Sequence, residues 1–317
     1  MTDEEFDREL LALRASVENS WHAWQGPAPS EVFHYTNALA SSKIIESGKL
    51  WAVISSELND RSEIVHAADT LRQLLFDRLR SDKKTDQALR ILYPPGVRHI
   101  RLEEGGRVDV FVASLTRLEN DLTQWDRYAD RAYGVALGFD SHALRQMDNA
   151  DEAASAVGFV RVAYDRSDQD TFFETLVERW LEQVAPRMSD DLATVPDAHM
   201  YIASWLGNLA GCAAAFFPRM KRKDFQAENE WRLVHGHLMD SPDCVVTRSG
   251  VQKTHVELDL RIRDRRMPLT SVWLAPGIAN RESERRMRRL LDRCGYNSVP
   301  VTSSTIPLRI ENKVLVF

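Results

Sequence analysis

Apolar positions along the chain change spacing repeatedly, and the changes predict an α+β protein. From residue 3 to 24 they fall at Phe6, Leu10, Leu13 and Val17, the spacing of an amphipathic helix. Pro27 and Pro29 end that helix, so residues 1–30 read as a helical cap on the main domain. Residues 31–36 form a compact strand. A helix over 38–46 comes next, with Asn37 as N-cap and Gly48 just past its end. Residues 50–54 are a second strand. Asn59-Asp60-Arg61-Ser62-Glu63 is a turn opening a long amphipathic helix to about Arg80, and capping by Asn59 or Asp60 accounts for it. Pro94-Pro95 breaks the chain again. Residues 108–114 are the clearest strand, 121–129 a helix, and 134–139 and 157–164 further strands.

Residues 168–217 change character. They are rich in Ala, Leu, Trp and Phe, carry no strand signal, and read as a helical insertion within a single domain spanning 31–317, with a separate small domain as the alternative. Lys221-Arg222-Lys223 comes next; such a triplet is usually a solvated loop, but its place beside the adjoining strand also lets it meet phosphates. That strand, 225–234, is the one the chain is organised around. Residues two apart on a strand share a face, which sets Glu228, Glu230 and Arg232 on one side and Trp231 and Leu233 on the other. Later come strands at 254–258 and 269–274. An Arg-rich helix over 281–293 succeeds them, with Met287, Leu290 and Leu291 as its apolar stripe and Gly295 closing it. Short β runs at 299–301 and 313–317 end the chain.

Composition narrows the class. With 317 residues, 44% of them hydrophobic and 28% charged, the chain suits a globular protein with a sizeable core. No apolar run approaches the roughly 18 residues that span a bilayer. Met1-Thr2-Asp3-Glu4-Glu5 is acidic and not a signal peptide. Cys212, Cys244 and Cys294 are odd in number and far apart, which argues against a disulfide framework and fits a cytoplasmic protein. No cysteine pair has zinc-ligand spacing, so no metal is expected. A formal charge of −6 gives no overall pull toward nucleic acid.

Several short strings, taken in order, match one pattern. They are His34-Tyr35-Thr36, Leu50-Trp51-Ala52, Asn59-Asp60-Arg61-Ser62-Glu63, Ser114-Leu115, Gln124-Trp125-Asp126-Arg127-Tyr128, the 134–139 strand, Glu228-Asn229-Glu230-Trp231-Arg232, and the run 304–309. The chain is similar, from about residue 32 to 310, to the prokaryotic family called domain of unknown function 2971. Asp126 departs from that pattern, where a basic or small residue is expected. The family name implies no activity.

The chain more loosely resembles the ADP-ribosyltransferase fold, through the His-Tyr-Thr strand, the helix ending Glu-Ser-Gly-Lys-Leu, and the late strand that opens with Glu and an aromatic residue. That resemblance implies a mixed β-sheet core with flanking helices. It also implies a signature of His34, then Ser114 or Tyr128, then Glu230, with Glu228-Asn229-Glu230 as the Glu-x-Glu form. A plain Tyr or Ser-Thr-Ser second motif is missing, and about 85 residues come after Glu230, more than a minimal core requires. The implied substrate is NAD, and the implied acceptor a protein or nucleic acid, as in a toxin or phage-defence effector. Cleaving the nicotinamide–ribose bond passes through an oxocarbenium-like centre, as glycoside cleavage does. Glu230 is expected to stabilise that centre, and Glu228 to orient or deprotonate the acceptor. His34 is expected on the adenosine ribose, and Tyr128 or Trp125 on the nicotinamide ring. Arg232 either offsets the carboxylates or takes a phosphate. Tyr35, Thr36, Ser114, Gln124, Asn59, Asp60 and Glu63 complete the implied NAD-binding set. His34, Tyr128 and Glu230 are expected to border one pocket. The competing reading is a non-enzymatic module that binds a nucleotide or nucleic-acid end through 221–223 and the Arg-rich helix.

Overall fold

The computed structural model describes residues 3–58, 62–79, 109–146, 157–191, 205, 209–210, 212–213, 216–237, 245–248, 251–262, 266–308 and 313–317. Asn59, Asp60, Pro94, Pro95, Cys244 and Arg309 lie outside them, as does part of the 168–217 insertion.

The chain forms an α+β fold, an open sheet flanked by helices. In order the elements are α1 (Asp3–Gln25), β1 (Glu31–Thr36), α2 (Ala38–Ser47), β2 (Lys49–Ile54), α3 (Ser62–Leu79), β3 (Asp109–Thr116), α4 (Leu122–Tyr128), β4 (Val135–Asp140) and α5 (Ser141–Gln146). Then come β5 (Val157–Arg161), α6 (Arg166–Asp191), β6 (Glu230–His237), β7 (Val245–Arg248), β8 (Val251–Asp259), β9 (Leu269–Leu274), α7 (Arg281–Arg293) and β10 (Val301–Ser303). Local chemistry sets several of these boundaries. The Asn37 side chain accepts from Ala40 N at 2.8 Å and starts α2, while Gly48, at φ 71°, ends it with its N–H on Ile44 O. Asn280 caps α7 in the same way, through Ser283 N at 2.9 Å.

The sheet runs β10-β9-β4-β1-β3-β2-β8-β7, with β6 paired on β3 and β5 on β6. β10 and β9 are parallel; the remaining pairs are antiparallel. β3 is the pivot. One edge pairs with β6 along its length, from Asp109↔His237 to Thr116↔Glu230. The other edge is shared: β1 holds it at Phe33↔Thr116, and β2 at Val53↔Val112 and Ile54↔Phe111. The sheet therefore forks between β1 and β2, opposite residues 113–115.

Strand alternation feeds two apolar clusters. Phe111, Ala113, Leu115, Phe159, Trp231 and Leu233 belong to the larger one, with β1, β4, β9, α2 and α7. Val110, Val160 and Val234 turn to the other, which holds Leu13, Val17 and Trp21 of α1 together with side chains of α3 and α6. The leading helix and the helix-rich stretch after β5 thus pack together on one face of the sheet.

Two expectations change. The run 313–317 forms no strand; it is tied to α7 by Leu315 N on Ser283 Oγ at 2.9 Å and to a turn by Lys313 N on Gly277 O at 2.7 Å. The strand at 225–234 starts later than its pattern suggests. Lys223–Glu228 is a 3-10 turn, Asn229 takes the left-handed conformation at φ 46°, and β6 begins at Glu230. Among the described residues no helix is long and apolar enough to cross a membrane.

Candidate functional site

The reversal at Asn229 removes Glu228 from the strand, so Glu228 and Glu230 are not strand neighbours two residues apart. They still converge, because both reach one buried ammonium group. Lys221 Nζ donates to Glu228 Oε2 at 2.7 Å and to Glu230 Oε2 at 3.2 Å. The loop triplet is accordingly split: Lys221 is buried at 5% exposure, whereas Arg222 and Lys223 remain outside.

Glu230 and Arg232 do share a face of β6, as the period-two pattern requires, and both are buried. The guanidinium grips the carboxylate with two bonds, Nε to Oε1 at 2.8 Å and Nη2 to Oε2 at 3.0 Å. Its Nη1 donates to the Pro218 carbonyl. The Ser114 hydroxyl also bonds to the Glu230 carboxylate. Burial by itself pushes the Glu230 carboxyl up, but Arg232 and Lys221 outweigh it, and the group is held at about 2. Glu230 is therefore a fixed anion and carries no proton near neutrality.

Glu228 is as buried as Glu230, but one of its partners is exposed. Tyr128 OH donates to Oε1 at 2.9 Å and Arg127 Nη1 at 3.2 Å. The Arg127 side chain is 51% exposed and that of Glu228 6%, so Arg127 and the half-buried Tyr128 form the mouth of the cluster. Burial, and then the charge of Glu228, push the Tyr128 phenol well above its ordinary range. Beside Glu230, the half-buried Tyr164 OH accepts from Glu230 N at 2.9 Å; burial and Glu230 push that phenol up as well. Sequence reasoning gives Lys221 a phosphate contact instead of the two carboxylates, and assigns no role to Arg127 or Tyr164. Lys221 sits in a charge triplet of solvated appearance, Arg127 inside a matching string without a role, and Tyr164 at a strand end.

The early signature residues take other positions. His34 Nδ1–H donates to the Ser114 carbonyl at 3.0 Å, across the fork. Burial lowers the imidazole's proton affinity, against that hydrogen bond. Directly opposed residues of antiparallel strands share a face. The registers Phe33↔Thr116 and Thr116↔Glu230 put Phe33 on the Glu230 side and His34 on the alternate one. His34 and Glu230 thus meet through Ser114, one at its carbonyl and the other at its hydroxyl, rather than by facing each other.

Trp125 is fully buried, with Nε1–H on Asn120 Oδ1 at 2.9 Å and its ring edge-on to Tyr35 at 4.6 Å. It is a packing residue that no nicotinamide ring can reach. Tyr35 OH donates to Leu118 O at 2.7 Å and accepts from Asp121 N, so it fixes the β3–α4 turn. Gln124 and Thr36 are buried, and Ser114 is exposed. Glu63 lies in the first turn of α3, while Asn59 and Asp60 are outside the described residues. The structure brings together Glu228, Glu230, Arg232, Tyr128 and Ser114, and leaves Trp125, Tyr35 and Gln124 in the packing beneath α4.

Residues 124–233 match the model of a family described as a protein of unknown function (DUF2971). The matched segment starts in α4 and ends in β6, so it contains Tyr128, Lys221, Glu228, Glu230 and Arg232 and excludes His34 and Ser114. It is narrower than the span from about residue 32 to 310 over which the short strings run. No curated protein and no solved structure matches the chain.

Proposed function

We propose that this chain is an NAD-consuming enzyme of the ADP-ribosyltransferase kind, with the two carboxylates that flank Asn229 as its working centre. The observation that carries the reading is the division of labour between them. Glu230 is buried, ionised near neutrality and held from several directions. Glu228 is bonded to a tyrosine and to an arginine at the surface.

A preorganised anion supports charge that develops on the ribose without reorganising during the reaction. Glu230 has that character. Arg127 joins Glu228 in a largely exposed ion pair of the sort that contributes only about 0–1 kcal/mol. A dinucleotide pyrophosphate draws Arg127 away and leaves Glu228 with Tyr128 and Lys221. The bond from ribose C1′ to the nicotinamide nitrogen breaks, and nicotinamide leaves neutral. The acceptor oxygen or nitrogen bonds to C1′, and its proton passes to Glu228. In this scheme His34 fixes the fork through the Ser114 carbonyl instead of holding the adenosine ribose.

A second reading has its own support. Three cations, Lys221, Arg232 and Arg127, gather around the two carboxylates, and an excess of positive charge favours a phosphate over an oxocarbenium centre. On that reading the chain binds a nucleotide or a nucleic-acid end and cleaves nothing. The two part when NAD labelled in its adenylate half is incubated with the protein and cell lysate. The enzyme reading expects label on protein or nucleic acid, reduced by Glu228→Gln. Equal labelling by the parent and by the Glu228→Gln and Glu230→Gln proteins would reject it.

A further inference from the structure

A cavity of about 380 Å³ opens beside the carboxylate centre, on the far side of Tyr164. That volume is within the range of roughly 300–1,000 Å³ usual for small-molecule sites. Its rim carries three cations from two segments: Arg166 at the start of α6, and Arg222 and Lys223 from the split triplet. Each is paired with a nearby acid, Asp170, Asp224 and Asp165 respectively, while staying 50%, 54% and 72% exposed. Ion pairs this open are weak, so an arriving dianion recruits the cations readily.

The rim is positioned from within. Gln169 is completely buried, and its Nε2 donates to both Ala163 O and Lys221 O at 2.9 Å. Those bonds join a direct backbone link, Ala163 N on Arg219 O at 2.9 Å and Lys221 N on Ala163 O at 3.0 Å, so the segments that carry Arg166 and Arg222 are held side by side. The two Nε2 bonds also fix the orientation of the amide, so Gln169 Oε1 accepts from His66 Nε2–H at 3.0 Å and anchors that part of the wall. Ser167, exposed in the first turn of the 26-residue α6, adds a hydroxyl at the same opening.

We propose that this cavity is a second site, which takes the phosphate of a mononucleotide through Arg166, Arg222 and Lys223, with the sugar filling the remaining volume. It uses none of the side chains assigned to bond cleavage and stands or falls separately from that assignment. The test is calorimetric titration of the full chain at constant ionic strength with AMP, adenosine, inorganic phosphate and a 5′-phosphorylated tetranucleotide. Binding of AMP, none of adenosine, and at least a tenfold loss for AMP in an Arg222→Ala/Lys223→Ala protein of unchanged melting temperature is the expected result. Arg166→Ala, on the other segment, is expected to weaken AMP as well. Equal affinity for adenosine and AMP, absence of AMP binding, or AMP binding unaffected by these variants would overturn the site. A tetranucleotide that binds more tightly than AMP would overturn the mononucleotide in favour of a strand end.

Discussion

The hydroxyl of Tyr128 donates to Oε1 of Glu228 across 2.9 Å, although the two residues are 100 positions apart. This contact joins α4 to the turn before β6 and sets one edge of the carboxylate centre. Tyr128→Phe removes a hydrogen bond to a buried charge and keeps the ring, so it is expected to cost about 1.5–3 kcal/mol. Urea denaturation measures it, and a stability equal to that of the parent would mean that the bond contributes nothing.

The ion pair within β6 supports a double-mutant test. Arg232→Met leaves Glu230 buried with fewer partners and is expected to cost about 3–5 kcal/mol. Adding Glu230→Leu removes the stranded charge and is expected to restore much of that loss. Additive losses in the double variant would show that the two side chains are not coupled.

Acid stability depends on Glu230. Its carboxyl is held at about 2 in the fold against an ordinary value of 4.5. The unfolded chain binds the proton first, so the contribution is complete above about pH 4.5 and is lost as pH falls toward 2. The difference corresponds to about 3 kcal/mol. Denaturation midpoints taken from pH 6 down to 2, for the parent and for the Glu230→Leu/Arg232→Met protein, should diverge in slope below pH 4.5. Parallel curves would contradict the depressed carboxyl.

Asn229 is the hinge that takes Glu228 off the strand. Its left-handed backbone, at φ 46°, suits Asn or Gly and penalises residues with an ordinary Cβ. Asn229→Ala is expected to lower stability by about 1–2 kcal/mol, and Asn229→Gly to be nearly neutral. Similar melting temperatures for the two variants would show that the left-handed turn stores no strain.

Much of the fold is legible in the sequence because spacing and capping act locally. The strand at 31–36, the caps Asn37 and Gly48, the strand at 269–274 and the helix at 281–293 all depend on neighbours within a few residues. The fork at β3 is not legible, since it depends on which strands share an edge, and a strand pattern does not specify its partner. The same limit applies at the site. Period two holds across Glu230 and Arg232, so the pattern places them correctly on one face. A single left-handed Asn breaks that period, and the pattern therefore misplaces Glu228. Lys221 reads as solvated because sequence cannot reveal two carboxylates waiting for it in the interior. Resemblance gives His34 and Trp125 ligand contacts, whereas register and burial assign them to the fork and to the packing.

The carboxylate centre is tested most directly by the rate at which purified protein releases nicotinamide from NAD. The rate is measured with and without cell lysate, for the parent and for Glu230→Gln, with melting temperatures recorded alongside. Measurable release by the parent is predicted, with a fall on the order of 10²–10³-fold for a variant that still folds. No release under either condition, or the same release by the folded variant, would contradict a catalytic Glu230.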